Sequence, residues 1–469
     1  MEQDLIERFR EIVGTAHAIT DEALIAPYLS EERGIFHGKT SLVLRPSSTK
    51  EVSSIMQLAS QTCTPIVPQG GNTGLVGGQQ PDNSGGGVIL SMERLNKIRC
   101  IDLEGSFAVV EAGVVLRSLQ EKVDGTDLFF PLSLASEGSC QIGGNLSSNA
   151  GGTAVLAYGN MRELCLGLEV VLPDGQILDD LRFVKKDNSG YDLKNLFIGA
   201  EGTLGIITAA VLKLFPKVKG KAVAFVGLQS PAKALAFLSL SQRCGGEMLT
   251  GFELMGKLSL KMALDYNRCQ GSPFRHDHEW YVLINIVSLR SGDEASLVLN
   301  GILEDSFKSG VIEDAVIAQS LKQQDFFWQL RESISYAQKL AGGSIKHDIA
   351  VPVAFIPDFI AEASFIVEDI SPGARVVCFG HMGDGNLHYN VTQPIGADTE
   401  AFLQLWSQMN RRIHDLVIRY QGAFSAEHGI GQLKRGELRA FKSPVALDLM
   451  QKIKKTLDPL GIMNPGKIL

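Results

Sequence analysis

The period of apolar and polar positions changes along the chain and sorts it into elements. Across residues 49–62 the apolar positions Val52, Ile55, Met56 and Ala59 recur at helical spacing, which predicts an amphipathic helix. Short apolar runs stand on either side, at residues 41–45 and 65–67, and more follow at 88–90, 98–101 and 108–112. Runs this short are of strand length, so the first part of the chain reads as alternating strand and helix. Residues 164–172, the turn Pro173-Asp174-Gly175 and residues 176–178 predict a hairpin. A last strand over residues 209–215 ends at Pro216, and the short basic stretch 217–221 marks a boundary.

Beyond residue 222 the pattern shifts. Strand-like runs at 222–228, 280–287 and 376–379 alternate with long amphipathic helical stretches, as in an antiparallel sheet covered by helices. The chain therefore reads as α+β, with domains at residues 1–217 and 218–417. A C-terminal segment, 418–469, carries a helix through Leu447, Met450 and Ile453.

Composition narrows the function classes. With 469 residues, 45% hydrophobic and 20% charged, the chain has apolar material for more than one core. A formal net charge of −8 without a long Lys/Arg cluster argues against nucleic acid and anionic membrane as partners, so an anionic ligand needs local positive groups. No apolar run reaches transmembrane length. The opening Met1-Glu2-Gln3-Asp4 is acidic and leads into an amphipathic pattern unlike an export signal. Seven cysteines (Cys63, Cys100, Cys140, Cys165, Cys244, Cys269 and Cys378) are scattered without a CxxC pair, which suits reduced thiols and a cytoplasmic location. The glycosylation-like Asn145-Leu146-Ser147 and Asn390-Val391-Thr392 then read as chance matches.

Candidate chemistry gathers late in the chain. His381 and His388 flank Met382-Gly383-Asp384-Gly385-Asn386-Leu387, and Glu427-His428-Gly429 supplies a carboxylate and a third imidazole. The run 376–379 and the run 387–391 read as strands joined by the glycine turn, which brings the two imidazoles together. His388 and Asn390 share one side of the returning strand. Two neutral imidazoles and a carboxylate, His381, His388 and Glu427, suit Zn²⁺ with a position left open for substrate, and Fe²⁺ or Mn²⁺ also fits.

Two glycine-rich stretches, Gly70-Gly71-Asn72-Thr73-Gly74-Leu75-Val76-Gly77-Gly78 and Gly138 through Gly143-Gly144-Asn145 to Gly151-Gly152, offer consecutive backbone N–H groups that can converge on phosphate oxygens. Neither is a GxGxxG fingerprint, which disfavours a nicotinamide-binding fold. The P-loop-like Gly251-Phe252-Glu253-Leu254-Met255-Gly256-Lys257 is a chance match, because Leu258 stands where a Mg²⁺-binding hydroxyl is required.

These segments carry a family resemblance. The stretches running from Pro68 through Gly78, from Gly138 through Ser139 and Cys140 to Asn145, and Gly202-Thr203-Leu204-Gly205-Ile206-Ile207 resemble the flavin-binding segments of the vanillyl-alcohol-oxidase superfamily. Residues 380–388 and 426–431 resemble its metal-dependent D-2-hydroxyacid dehydrogenase branch. The resemblance spans essentially the whole chain. It implies a PCMH-type FAD-binding domain of two α/β subdomains, an antiparallel cap domain carrying substrate residues, and a C-terminal segment that completes the FAD site through Asn464. Some relatives tether the flavin through a histidine; none lies in or near these loops, so the FAD is expected to be noncovalent.

Within the helical pattern 324–340, Arg331, Ser335 and Lys339 fall at i, i+4 and i+8, and Arg331 is the candidate clamp for a substrate carboxylate. Lys346, in the loop beyond, suits a second carboxylate. The resemblance adds that Arg331, Ser335 and Lys346 match the substrate-holding positions of D-2-hydroxyglutarate dehydrogenases, where Ser335 is commonly a threonine. A dicarboxylate is the leading substrate, D-malate, D-lactate and glycolate being alternatives. The expected mechanism has metal on His381, His388 and Glu427, His428 as base, Asn390 bonded to substrate and hydride passing to flavin N5; exchange of the Glu427 and His428 roles stays open. A noncatalytic flavin- or metal-binding subunit is a second class of reading. The electron acceptor, an electron-transfer flavoprotein or a quinone, is not named by the residues, and a homodimer is compatible with them.

Overall fold

The computed structural model describes residues 1–31, 33–267 and 271–469, so Cys269 lies outside the described residues. The chain forms two compact units. One comprises Met1–Gly151, Gly159–Lys217 and Glu427–Leu469, the other Gly152–Tyr158 and Val218–Ala426.

In the first unit, strands Ile66–Gln69, Val88–Ser91 and Val43–Leu44 pair in parallel, with Ala18–Ile19 added antiparallel at the edge. The helix Thr49–Thr62 forms where the periodicity places it, its N-terminus capped by the Ser48 side chain on the Glu51 amide. Its apolar face, Val52, Ile55, Met56 and Ala59, is fully buried in the core beside this sheet. Beside it in sequence runs a five-stranded antiparallel sheet in the order Ile98–Asp102, Phe107–Glu111, Ile206–Lys213, Cys165–Val171, Ile177–Asp180. The last two strands are the hairpin expected around Pro173-Asp174-Gly175. The second glycine-rich stretch is not all loop: it includes the short helix Ile142–Ser147.

The second unit is an eight-stranded antiparallel sheet with helices on both faces. Its main path runs Asp314–Ile317, Gly220–Leu228, Trp280–Ser288, Leu249–Gly256, Arg375–His381, Asn386–Thr392, Ser344–Ile345, with Asp348–Ala350 also paired to Asn386–Thr392. Alternation divides the side chains between two cores. Ala224, Val226, Phe252 and Leu254 enter one, while Val223, Phe225, Met255 and Phe379 enter the other with Leu330 and Ile334 of the helix Leu321–Lys339. The residues that mimic a P-loop are a central strand running straight into the helix Lys257–Tyr266. That strand was not foreseen, because its glycines and one carboxylate break the apolar run. Among the described residues no helix is long and apolar enough to cross a membrane.

Candidate active site

In the first unit the glycine-rich stretches and the turn after Glu201 line one cleft of ≈ 900 Å³, open solvent included. Pro68, Gly70, Gly71, Asn72, Thr73, Gly74 and Gly78 come from the first stretch, Cys140, Gly143, Gly144 and Asn145 from the second, and Gly202, Gly205 and Ile207 from the third. Gly77, Gly138, Ser139 and Asn464 stand outside this lining. The stretches approach so closely that a Cβ on Gly71 would lie 2.0 Å from the Ser139 carbonyl oxygen, and one on Gly143 would lie 2.7 Å from Ala112 Cβ. Asn72 takes the left-handed conformation (φ 57°), and its Nδ2 donates to the Ser30 carbonyl at 2.7 Å. Gln141 Oε1 and Asn145 Oδ1 line the cleft buried and without a hydrogen-bond partner. Such atoms await donors, and the glycine walls admit a ligand close to the backbone, so the cleft fits a flavin nucleotide.

The C-terminal stretch of this unit is tied to the same loops. Asn464, also left-handed at φ 44°, donates through Nδ2 to the carbonyls of Glu201 at 2.7 Å and Gly78 at 2.9 Å, so it ties together two residues that line the cleft. Glu201 accepts from the amides of Ile430 at 2.7 Å and Gly431 at 2.8 Å. Burial pushes its carboxyl above the ordinary value, and the two N–H donors pull the other way. Gly429 (φ 82°) and Gly431 (φ 50°) supply the bend, and a Cβ on Gly431 would lie 2.2 Å from the Val76 carbonyl oxygen. His428, held just before that bend, lines the cleft.

In the second unit the hairpin of Arg375–His381 and Asn386–Thr392 closes through the single turn Met382–Asp384 and Gly385 at φ 89°. It sets the rings of His381 and His388 with centroids 6.0 Å apart. Glu253 sits directly opposite His381 in the sheet register. Its Oε1 is 2.6 Å from His381 Nδ1, and its Oε2 accepts from Arg331 Nε at 2.7 Å. Burial alone would raise the Glu253 carboxyl; its contacts with His381 and the Arg331 guanidinium hold it down at about 2. The Arg331 guanidinium also lies 4.8 Å above the Phe379 ring.

The i, i+4, i+8 line does not share one environment. Arg331 is buried while Ser335 and Lys339 are exposed, since each step of four residues overshoots a helical turn by about 40°. Lys346 is half-buried. Asn390 is buried, its Nδ2 donating to Gln338 Oε1 at 2.9 Å and its Oδ1 accepting from the His347 amide at 3.3 Å. Glu427 opens the last segment of the first unit, one residue past Ala426, whose amide donates to the Asp348 carbonyl at 3.3 Å.

Residues 217–468 match the model for FAD linked oxidases, C-terminal domain, and residues 40–180 match the FAD binding domain. The chain belongs to the FAD-linked oxidase family. Among its relatives, D-2-hydroxyglutarate dehydrogenase, mitochondrial, of Rattus norvegicus is 39% identical over 92% of this chain and 78% of its own length. The Arabidopsis thaliana protein of the same name is 35% identical over 99% and 81%. The fold is that of 4-ethylphenol oxidase from Gulosibacter chungangensis, with a TM-score of 0.76 at 18% identity, covering 99% of this chain and 96% of that one. The chain is thus an α+β, FAD-linked oxidoreductase.

The cytoplasmic expectation does not stand. The relatives are named mitochondrial, and scattered free thiols mark a reducing compartment without singling out the cytosol. Sequence reasoning also missed Glu201, Gln141 and Glu253. A carboxylate inside a largely apolar strand was the available signal for Glu253; Glu201 carried none apart from preceding Gly202, and Gln141 none apart from lying within a glycine-rich stretch.

Proposed function

We propose that this family member oxidises D-2-hydroxyglutarate to 2-oxoglutarate. The observation that carries this reading is that His428, whose imidazole is of a type able to accept a proton, lines the same cleft as the glycine-rich loops. The names of relatives at 35–39% identity support the substrate.

The residues present fit a divalent cation, Zn²⁺ or else Mn²⁺ or Fe²⁺. His381 commits Nδ1 to a buried carboxylate, the pairing that orients metal-binding imidazoles through the other nitrogen, and the His388 ring is its neighbour. Glu427 completes the proposed ligand set. When bound, FAD would supply a hydride acceptor at N5 for the substrate's C2 hydrogen, and the cation would supply Lewis acidity toward the substrate hydroxyl. Arg331 holds the C1 carboxylate, Lys346 the distal carboxylate, and Ser335 and Asn390 contribute polar contacts. His428 takes the proton from the hydroxyl oxygen. Electrons then leave to an external acceptor such as an electron-transfer flavoprotein or a quinone.

Anaerobic mixing with single hydroxyacids tests the scheme. D-2-hydroxyglutarate is expected to bleach the flavin absorbance, the L-enantiomer to leave it unchanged, and D-lactate and glycolate to act poorly. Preference for D-lactate would move the chain to the alternative substrate class, and bleaching by none would make it a noncatalytic flavin protein. Full activity after complete chelation would remove the metal from the chemistry.

A further inference from the structure

The carboxylate of Glu253 has no place in the scheme so far, yet it is buried and makes two charge-assisted hydrogen bonds. One oxygen faces Nδ1 of His381 at 2.6 Å, the other faces Nε of Arg331 at 2.7 Å. These residues come from separate elements: the strand Leu249–Gly256, the strand Arg375–His381 and the helix Leu321–Lys339. Sequence alternation explains the meeting. Phe252 and Leu254 point into one core, so Glu253 points to the other, where Phe379 and Leu330 also lie.

We propose that Glu253 is a positioning residue that couples the metal ligand to the substrate clamp. The inference rests on the reading that His381 binds metal and Arg331 binds the C1 carboxylate. Holding the proton on Nδ1 fixes the His381 tautomer, so that Nε2 presents its lone pair to the cation. Engaging Arg331 through Nε sets the guanidinium plane and turns its two terminal nitrogens, the edge that pairs bidentately with a carboxylate, to the substrate. The negative charge also offsets the repulsion between a guanidinium and a divalent cation serving the same small substrate. One carboxylate thus orients both groups at the reacting end of the hydroxyacid, the C1 carboxylate through Arg331 and the C2 hydroxyl through the cation.

Glu253→Gln keeps the shape but leaves a single acceptor, and its amide N–H₂ must face one of the two donors. On the flavin-loaded protein, Zn²⁺ affinity measured by chelator competition without substrate is expected to fall by about tenfold to a hundredfold. KM for D-2-hydroxyglutarate is expected to rise at saturating Zn²⁺ more than kcat falls, with flavin absorbance unchanged. Glu253→Asp, which restores the charge, is expected to recover Zn²⁺ affinity above that of Glu253→Gln. It is read in the same way if Glu253→Gln fails to retain flavin. A change in only one of Zn²⁺ affinity and KM, or in neither, overturns the coupling. His381→Ala separates the two failures: loss of Zn²⁺ there with unchanged Glu253 variants sinks this inference alone, whereas retained Zn²⁺ sinks the ligand reading beneath it.

Discussion

Gly71 packs against the backbone of Ser139 so closely that an added Cβ would stand 2.0 Å from its carbonyl oxygen. The contact joins the two glycine-rich stretches that wall the flavin cleft, and backbone cannot yield as a flexible side chain does. Gly71→Ala is therefore expected to push the stretches apart. The purified variant should carry a flavin-to-protein ratio well below that of the wild type, read from its absorbance spectrum, and should melt earlier. Full flavin occupancy at wild-type stability would refute the argument.

Lys346 is the residue proposed to separate dicarboxylates from simpler hydroxyacids. A hydrogen bond to a charged group is worth about 1.5–3 kcal/mol, so Lys346→Ala is expected to cut kcat/KM for D-2-hydroxyglutarate by about tenfold to a hundredfold. D-lactate has no second carboxylate and should be little affected. A uniform loss across both substrates would assign the lysine to structure.

Much of this was readable in the chain because it depends on local pattern. The hairpin between His381 and His388 follows from two apolar runs and a Gly-Asp-Gly turn, and the Thr49–Thr62 helix follows from its four apolar positions. The cleft-lining glycine-rich stretches were legible as such because glycine is needed where backbones nearly touch, as at Gly71 and Gly143. Glu253 stood out as a carboxylate in its strand, but its role was not legible, since that lies in pairing with His381 across 128 residues and with Arg331 across 78. The common face expected for Arg331, Ser335 and Lys339 failed for a geometric reason, the drift of successive four-residue steps around the helix, which the burial of Arg331 alone exposes.

Lys467 gives the first unit a stability that depends on pH. Burial pushes its ammonium from 10.5 down to about 8, with Asp82 opposing and Arg435 adding to the shift. Between those values the unfolded chain holds a proton that the folded chain has released, so stability rises with pH through the window. Below pH 8 the full penalty applies, at most about 3 kcal/mol for a shift of this size. Lys467→Met is expected to be more stable than wild type below pH 8, with the difference shrinking as pH rises toward 10.5, in urea denaturation of the flavin-loaded proteins. A difference independent of pH would show that the lysine is not desolvated.

His428 and Glu427 are adjacent, and the proposed scheme gives them different tasks. The bend at Gly429 and Gly431, secured by Glu201 on the Ile430 and Gly431 amides, fixes how His428 enters the flavin cleft. His428→Asn removes the proton acceptor while leaving that bend and the proposed ligands His381, His388 and Glu427 in place. Turnover is expected to fall by about 10²–10⁴-fold, with flavin content and Zn²⁺ content close to wild type. Glu427→Gln should do the reverse, losing Zn²⁺ first and activity with it, and added Zn²⁺ should restore part of that activity. Should His428→Asn lose Zn²⁺ as completely as it loses turnover, the imidazole is a ligand and Glu427 is left as the base.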